Sequence, residues 1–170
     1  GIADEQGRMI YADESAEKQT QLLEFTVEAG RPDSITREKL ETIKEFPVTR
    51  ISVNPQTMNQ DTLEIIGRRH TVAQTIEAFH LARELNYNNI NMDLIVGLPG
   101  EDISKVKYTL EKVKELSPDS LTVHSLAVKR AARLNMFKDK YQEMTFENNQ
   151  EIMDLTQQTA YSMEMGPYYL

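Results

Sequence analysis

What most constrains the fold of this 170-residue chain is an alternation. From residue 22 onward, short strand-like segments take turns with amphipathic helical ones. LLEFTVEA (22–29), TRISVN (49–54), NINMDLIVG (89–97) and DSLTVHSLAV (119–128) carry the apolar and β-branched residues of strands. Between them, SITREKLETIKEF (34–46), NQDTLEIIG (59–67), TVAQTIEAFHLARELN (71–86) and DISKVKYTLEKVKELS (102–117) are expected helices. Ser34, Thr71 and Asp102 stand where N-caps belong, because their side-chain oxygens can accept from the free amides of a first turn. A last helix is expected over 145–165, and 129–144 has no clear period. Strands joined by helices of this length form βαβ units, hence parallel strands with right-handed crossovers. Four such strands cannot close an eight-stranded barrel. An open doubly wound sheet or part of a barrel satisfies the pattern.

The parity within each strand says more. A parallel strand buried on both faces is normally a continuous apolar run. Here each strand has one apolar and one polar face. Phe25 and Val27 oppose Glu24, Thr26 and Glu28; Ile51 and Val53 oppose Arg50, Ser52 and Asn54, with Gln56 continuing the polar parity. Ile90, Met92, Leu94 and Val96 oppose Asn91 and Asp93, and Leu121 and Val123 oppose Thr122 and His124. Helices cover the apolar face. The polar face then either lines a small-molecule site or is simply solvated, and periodicity leaves both open. An unpartnered carboxylate in a buried strand is costly, so Asp93 requires a donor nearby in either case.

Composition closes other routes. A net charge of −8 argues against nucleic acid as the main partner, since phosphate binding needs clustered Lys and Arg. No run of about 20 apolar residues is present to span a bilayer. The polar start GIADEQGRMIYADESAEKQTQ is unlike a secretion signal, and the expected compartment is the cytoplasm. The chain has no cysteine, so it offers no disulfide and no thiolate ligand for zinc or iron–sulfur centres. Its three histidines, His70, His80 and His124, do not make a metal site, and Arg69 and His70 are expected to be solvated.

Three segments in order, EFTVEAGRPDSIT, RISVNPQTMN…LEIIGRRHT and NINMDLIVGLPGE, resemble the radical S-adenosylmethionine (SAM) enzymes of the oxygen-independent coproporphyrinogen III oxidase family. The coproporphyrinogen dehydrogenase branch is the nearest match, and the likeness runs from about residue 21 onward. It implies an α/β fold: a partial parallel (β/α) barrel with helices outside, the four strands being the third to sixth of six. It implies residues 21–128 as that barrel core, 129–170 as a truncated helical extension, and 1–20 as a polar segment without assignment. By motif position it places Glu28, Gln56, Arg68, Asp93 and Ala127 against SAM, with Asn54, Asn91 and His124 as lumen or substrate positions. The implied cofactors are SAM and a [4Fe–4S] cluster. The implied partners of the whole enzyme are coproporphyrinogen III and an electron donor. The implied reaction is oxidative decarboxylation of propionates to vinyls.

The chain departs from that family in one decisive respect. The CxxxCxxC loop whose thiolates hold the cluster is absent. The expectation is therefore a piece of such an enzyme, not competent by itself. A non-catalytic haem- or tetrapyrrole-binding relative is the alternative. A sheet lacking its first two strands also exposes the edge of LLEFTVEA, so self-association is expected.

Overall fold

The computed structural model describes residues 24–125 and 150–166, together with the backbone of two short strands near the start of the chain. Those strands, β1 (Ile2–Ala3) and β2 (Met9–Ile10), pair antiparallel. The main sheet contains β3 (Thr26–Gly30), β4 (Arg50–Gln56), β5 (Ile90–Val96) and β6 (Ser120–Ser125), in that spatial order and all parallel. Sequence neighbours are thus sheet neighbours, each pair joined by a helical crossover. The linking helices are α1 (Arg37–Lys44), α2 (Gln60–Ile65), α3 (Val72–Glu84) and α4 (Ile103–Leu116). A further helix, α5 (Gln150–Ser162), reaches α4, where Lys114 Nζ donates to Ser162 Oγ at 2.9 Å.

One apolar core joins the sheet to its helices. Ile51, Val53, Ile90, Met92, Leu94 and Val96 from the strands meet Leu40 of α1, Phe79 and Ala82 of α3, Val106, Leu110 and Val113 of α4 and Ile152 of α5. Alternation places all these strand residues on one face, as the period-2 pattern requires. Full burial of a side chain such as Phe79 stabilises by about 1.5–3 kcal/mol. Where Tyr87 enters the core its hydroxyl needs a partner, and it donates to Leu40 O at 2.6 Å.

The caps follow the sequence with one shift. Thr71 accepts from Gln74 N while the Gln74 side chain accepts from Thr71 N, a complete capping box. Asp102 accepts from Lys105 N at 3.0 Å and starts α4. Ser34 does not cap α1. Pro32 opens a short 3-10 turn, Pro32–Ser34, in which the Ser34 hydroxyl donates back to Arg31 O, and Thr36 caps α1 instead by accepting from Lys39 N. Proline favours the first position of a helical turn because its missing N–H is not needed there.

β4 also differs from expectation. It runs through Pro55 to Gln56, two residues past the expected strand of 49–54. The ladder slips at this point: Val53 pairs with Met92, but Gln56 pairs with Leu94. The bulge takes up a residue that has no N–H to give the ladder. Gln56 has φ +69°, a left-handed conformation uncommon outside glycine. Simple alternation therefore does not set its direction.

Candidate functional site

The polar face is built by register. Glu28 of β3 lies beside Ser52 of β4, Ser52 beside Asn91 of β5, and Asn91 beside Ser120 of β6; one step further on, Asp93 lies beside Thr122. Adjacent residues in a ladder point to the same side, so these groups converge. A continuous hydrogen-bond path results. Asn54 Nδ2 donates to Glu28 Oε2 at 2.8 Å, Ser52 Oγ donates to Asn54 Oδ1 at 3.0 Å, and Asn91 Nδ2 donates to Ser52 Oγ at 3.0 Å. The other Asn91 amide hydrogen goes to Asp93 Oδ1 at 2.5 Å. Ser120 and Thr122 donate to Asn91 Oδ1 at 3.0 and 3.1 Å. The donor that Asp93 requires is thus Asn91, two residues earlier on the same strand. Glu28 is exposed and Asp93 half-buried, and each keeps one carboxylate oxygen with no partner among the described residues.

Two buried anchors hold the bulge at the C-terminal end of β4. On one side, His70 is 1% exposed and its Nε2 lies 3.1 Å from Pro55 O, while Nδ1 has no partner among the described residues. A carbonyl only accepts, so Nε2 carries the hydrogen. His70 is thus not solvated, contrary to expectation: the turn after Gly67 folds it beneath the bulge. On the other side, Thr57 Oγ1 donates to Glu101 Oε1 at 2.5 Å, and Asn59 Nδ2 donates to the same oxygen at 3.0 Å. Thr109 Oγ1 accepts from Met58 N at 3.1 Å and lies 3.1 Å from Thr57 Oγ1. Glu101 is 1% exposed, and burial pushes its carboxyl pKa up, opposed by the bonds from Thr57 and Asn59. The turn Leu98–Glu101 delivers it there. Glu101 N donates to Leu98 O at 3.1 Å, with Pro99 second and Gly100 third at φ +78°, the residues and the positive φ of a type II turn.

The expected site residues separate into groups. Glu28, Asn54, Asn91 and Asp93 are joined in one network. Gln56 sits at the strand end just beyond it, half-buried, its side chain without a hydrogen bond among the described residues. Arg68 is exposed in the turn after α2, its guanidinium without a partner there. His124 is exposed on β6, beside Ile95. Ala127 lies outside the described residues. Sequence reasoning missed Thr57 and Asn59, which meet Glu101 and Thr109 across more than 40 positions.

A family model described as the radical SAM superfamily matches residues 7–113, more than half of the chain. The chain belongs to this superfamily. Among curated radical SAM relatives, the "oxygen-independent coproporphyrinogen-III oxidase-like protein HemZ" of Bacillus subtilis is 48% identical over 149 residues, which cover 86% of this chain and 29% of that protein. The "heme chaperone HemW" of the same organism is 39% identical over 107 residues, 63% of this chain and 28% of the relative. Among solved structures, coproporphyrinogen III oxidase (HemN) from Escherichia coli superimposes with a TM-score of 0.63 at 24% identity, covering 83% of this chain and 32% of that one. This likeness establishes the fold. The parallel four-stranded sheet with its helices on one side corresponds to part of a radical SAM barrel. The chain spans under a third of the length of each of these proteins.

Proposed function

We propose that this chain supplies the SAM-binding face of an oxygen-independent coproporphyrinogen III oxidase or dehydrogenase. The observation that carries the proposal is the hydrogen-bond path across the sheet, which ends on Glu28 and Asp93 and leaves each one free oxygen. SAM offers an ammonium and a ribose diol as donors, and both suit a carboxylate whose second oxygen is already held. Gln56 can accept and donate at the adjacent strand end, and Arg68 can pair with a carboxylate in a bidentate manner. Ala127 and the exposed His124 complete the expected lining, His124 on the substrate side.

The residues fit SAM but not the cluster. A [4Fe–4S] cluster is held by thiolates, and this chain has no cysteine. Cluster ligation and electron delivery therefore belong to other residues than these, and no catalytic step is assigned to this chain alone. Its part is to bind and orient the sulfonium donor, which fixes the direction in which chemistry proceeds. The whole protein is proposed to decarboxylate coproporphyrinogen III propionates to vinyls in haem formation, in the cytoplasm. Among the described residues, no helix is long and apolar enough to cross a membrane.

A second reading is favoured by the haem chaperone among the relatives: a non-catalytic tetrapyrrole carrier on the same frame. Isothermal titration with SAM, beside a haem titration followed by the Soret band, separates the two. Saturable SAM binding that Asp93→Asn weakens at least tenfold supports the first. Stoichiometric haem binding without SAM binding overturns it.

A further inference from the structure

Asn91 is a lumen-face residue by parity, yet it is only 3% exposed and has no hydrogen-bonding capacity left. An asparagine side chain offers two N–H donors and two lone pairs. Here both hydrogens go to Ser52 Oγ and Asp93 Oδ1, and Oδ1 accepts from both Ser120 and Thr122. The amide orientation is dictated by charge, because the atom 2.5 Å from the Asp93 carboxylate must be a donor. That choice sets every later bond. Ser52, accepting from Asn91, turns its own hydrogen to Asn54 Oδ1, and Asn54 then presents Nδ2 to Glu28.

We infer that Asn91 is a positioning residue that orients the Asp93 and Glu28 carboxylates together, from one buried side chain, without touching the ligand. The inference rests on the proposed SAM-binding face for its functional meaning. Two branches leave Asn91. The short one reaches Asp93 directly; the long one crosses two strands, through Ser52 and Asn54, to Glu28. Along both branches the donors point outward from Asn91, while Ser120 and Thr122 fix its oxygen from behind, so both carboxylates end as acceptors with one oxygen presented to a ligand. No other residue type of this size replaces it. Leucine fills the space but donates nothing. Aspartate has the shape but places a second anion beside Asp93, where like charges repel.

The test uses the full chain with isotopically labelled carboxyl groups. Carboxyl carbon signals of Asp93 and Glu28 are followed by NMR in the unsubstituted protein, Asn91→Leu, Asn91→Asp and Ser52→Ala, and SAM affinity is measured on the same samples. Asn91→Leu is expected to displace both signals and lower SAM affinity at least tenfold. Ser52→Ala is expected to displace Glu28 and leave Asp93 in place, with a smaller loss of affinity. This selectivity is one that general destabilisation does not produce, and Ser52→Ala remains informative if the Asn91 variants fail to fold. Asp93 and Glu28 signals unchanged in Asn91→Leu, or displaced alike by Ser52→Ala, overturn the inference. If the unsubstituted chain binds no SAM, the proposed function fails, and the two carboxyl signals still decide whether Asn91 positions both groups.

Discussion

Replacing Glu101 by alanine removes the buried carboxylate on which the loops after β4 and β5 meet. Its effect can be worked from the contacts. Asn59 Nδ2 keeps Lys105 O and Thr109 Oγ1, each at 3.0 Å, so its loss is small. Thr57 loses its 2.5 Å acceptor, and a bond to a charged group is worth about 1.5–3 kcal/mol. A residual cavity of roughly 40 Å³ adds about 1 kcal/mol at about 24 cal/mol per Å³. Relief of the buried charge offsets part of this. The expected net cost is about 2–4 kcal/mol, a fall in melting temperature of roughly 4–16 °C for a chain of this size. Glu101→Gln keeps an oxygen to accept from Thr57 and is expected to cost under about 1 kcal/mol.

Both variants also lose the pH dependence that this carboxyl gives the unsubstituted chain. Burial raises the Glu101 pKa, so the folded chain holds this proton at pH values where the unfolded chain has released it. Its contribution is fully present below the unfolded carboxyl value, about 4.3, and declines as pH rises through the elevated folded value. Urea unfolding followed by circular dichroism at pH 4.5 and 7.5 is the assay. The stability of Glu101→Gln relative to the unsubstituted chain is expected to improve at the higher pH. A Glu101→Ala variant within about 0.5 kcal/mol of the unsubstituted chain, or equal costs for Ala and Gln, refutes the reasoning.

Two further outcomes concern the bulge. Gln56→Gly relieves a left-handed φ of +69° while giving up side-chain contacts, and it is expected to be neutral or up to about 1 kcal/mol more stable, yet to bind SAM at least tenfold more weakly. Paired urea and calorimetric titrations check this, and stability lost together with unchanged binding contradicts the role given to Gln56. His70→Ala leaves Pro55 O without its donor and opens a cavity, for an expected cost of about 2–4 kcal/mol. Hydrogen exchange at Thr57 and Met58 is expected to quicken well before global unfolding, and unchanged exchange there shows that His70 does not hold the bulge.

Period-2 patterning is a local property, and what depends on it was legible in the chain. The alternation of Ile51 and Val53 with Ser52 and Asn54, and of Met92 and Leu94 with Asn91 and Asp93, is enough to define a sheet with helices on one side. Thr71 and Asp102 announce their helices because a cap acts within one turn. The likeness of three short segments to one family pointed to the ligand proposed for that face. Ser34 shows the limit of local inference, since Pro32 and Thr36 nearby compete for the same turn and the hydroxyl ends on Arg31 O.

The tertiary structure alone decided how the polar face is wired. Whether Asn91 meets a ligand or only its neighbours depends on which residues of β4 and β6 stand beside it, and register is a property of paired strands. The slip at Pro55, the burial of His70 and the meeting of Thr57 with Glu101 depend likewise on segments 15 and 44 positions apart. A single strand shows which side a residue faces. Only the assembled sheet shows whether its hydrogen bonds are already spent.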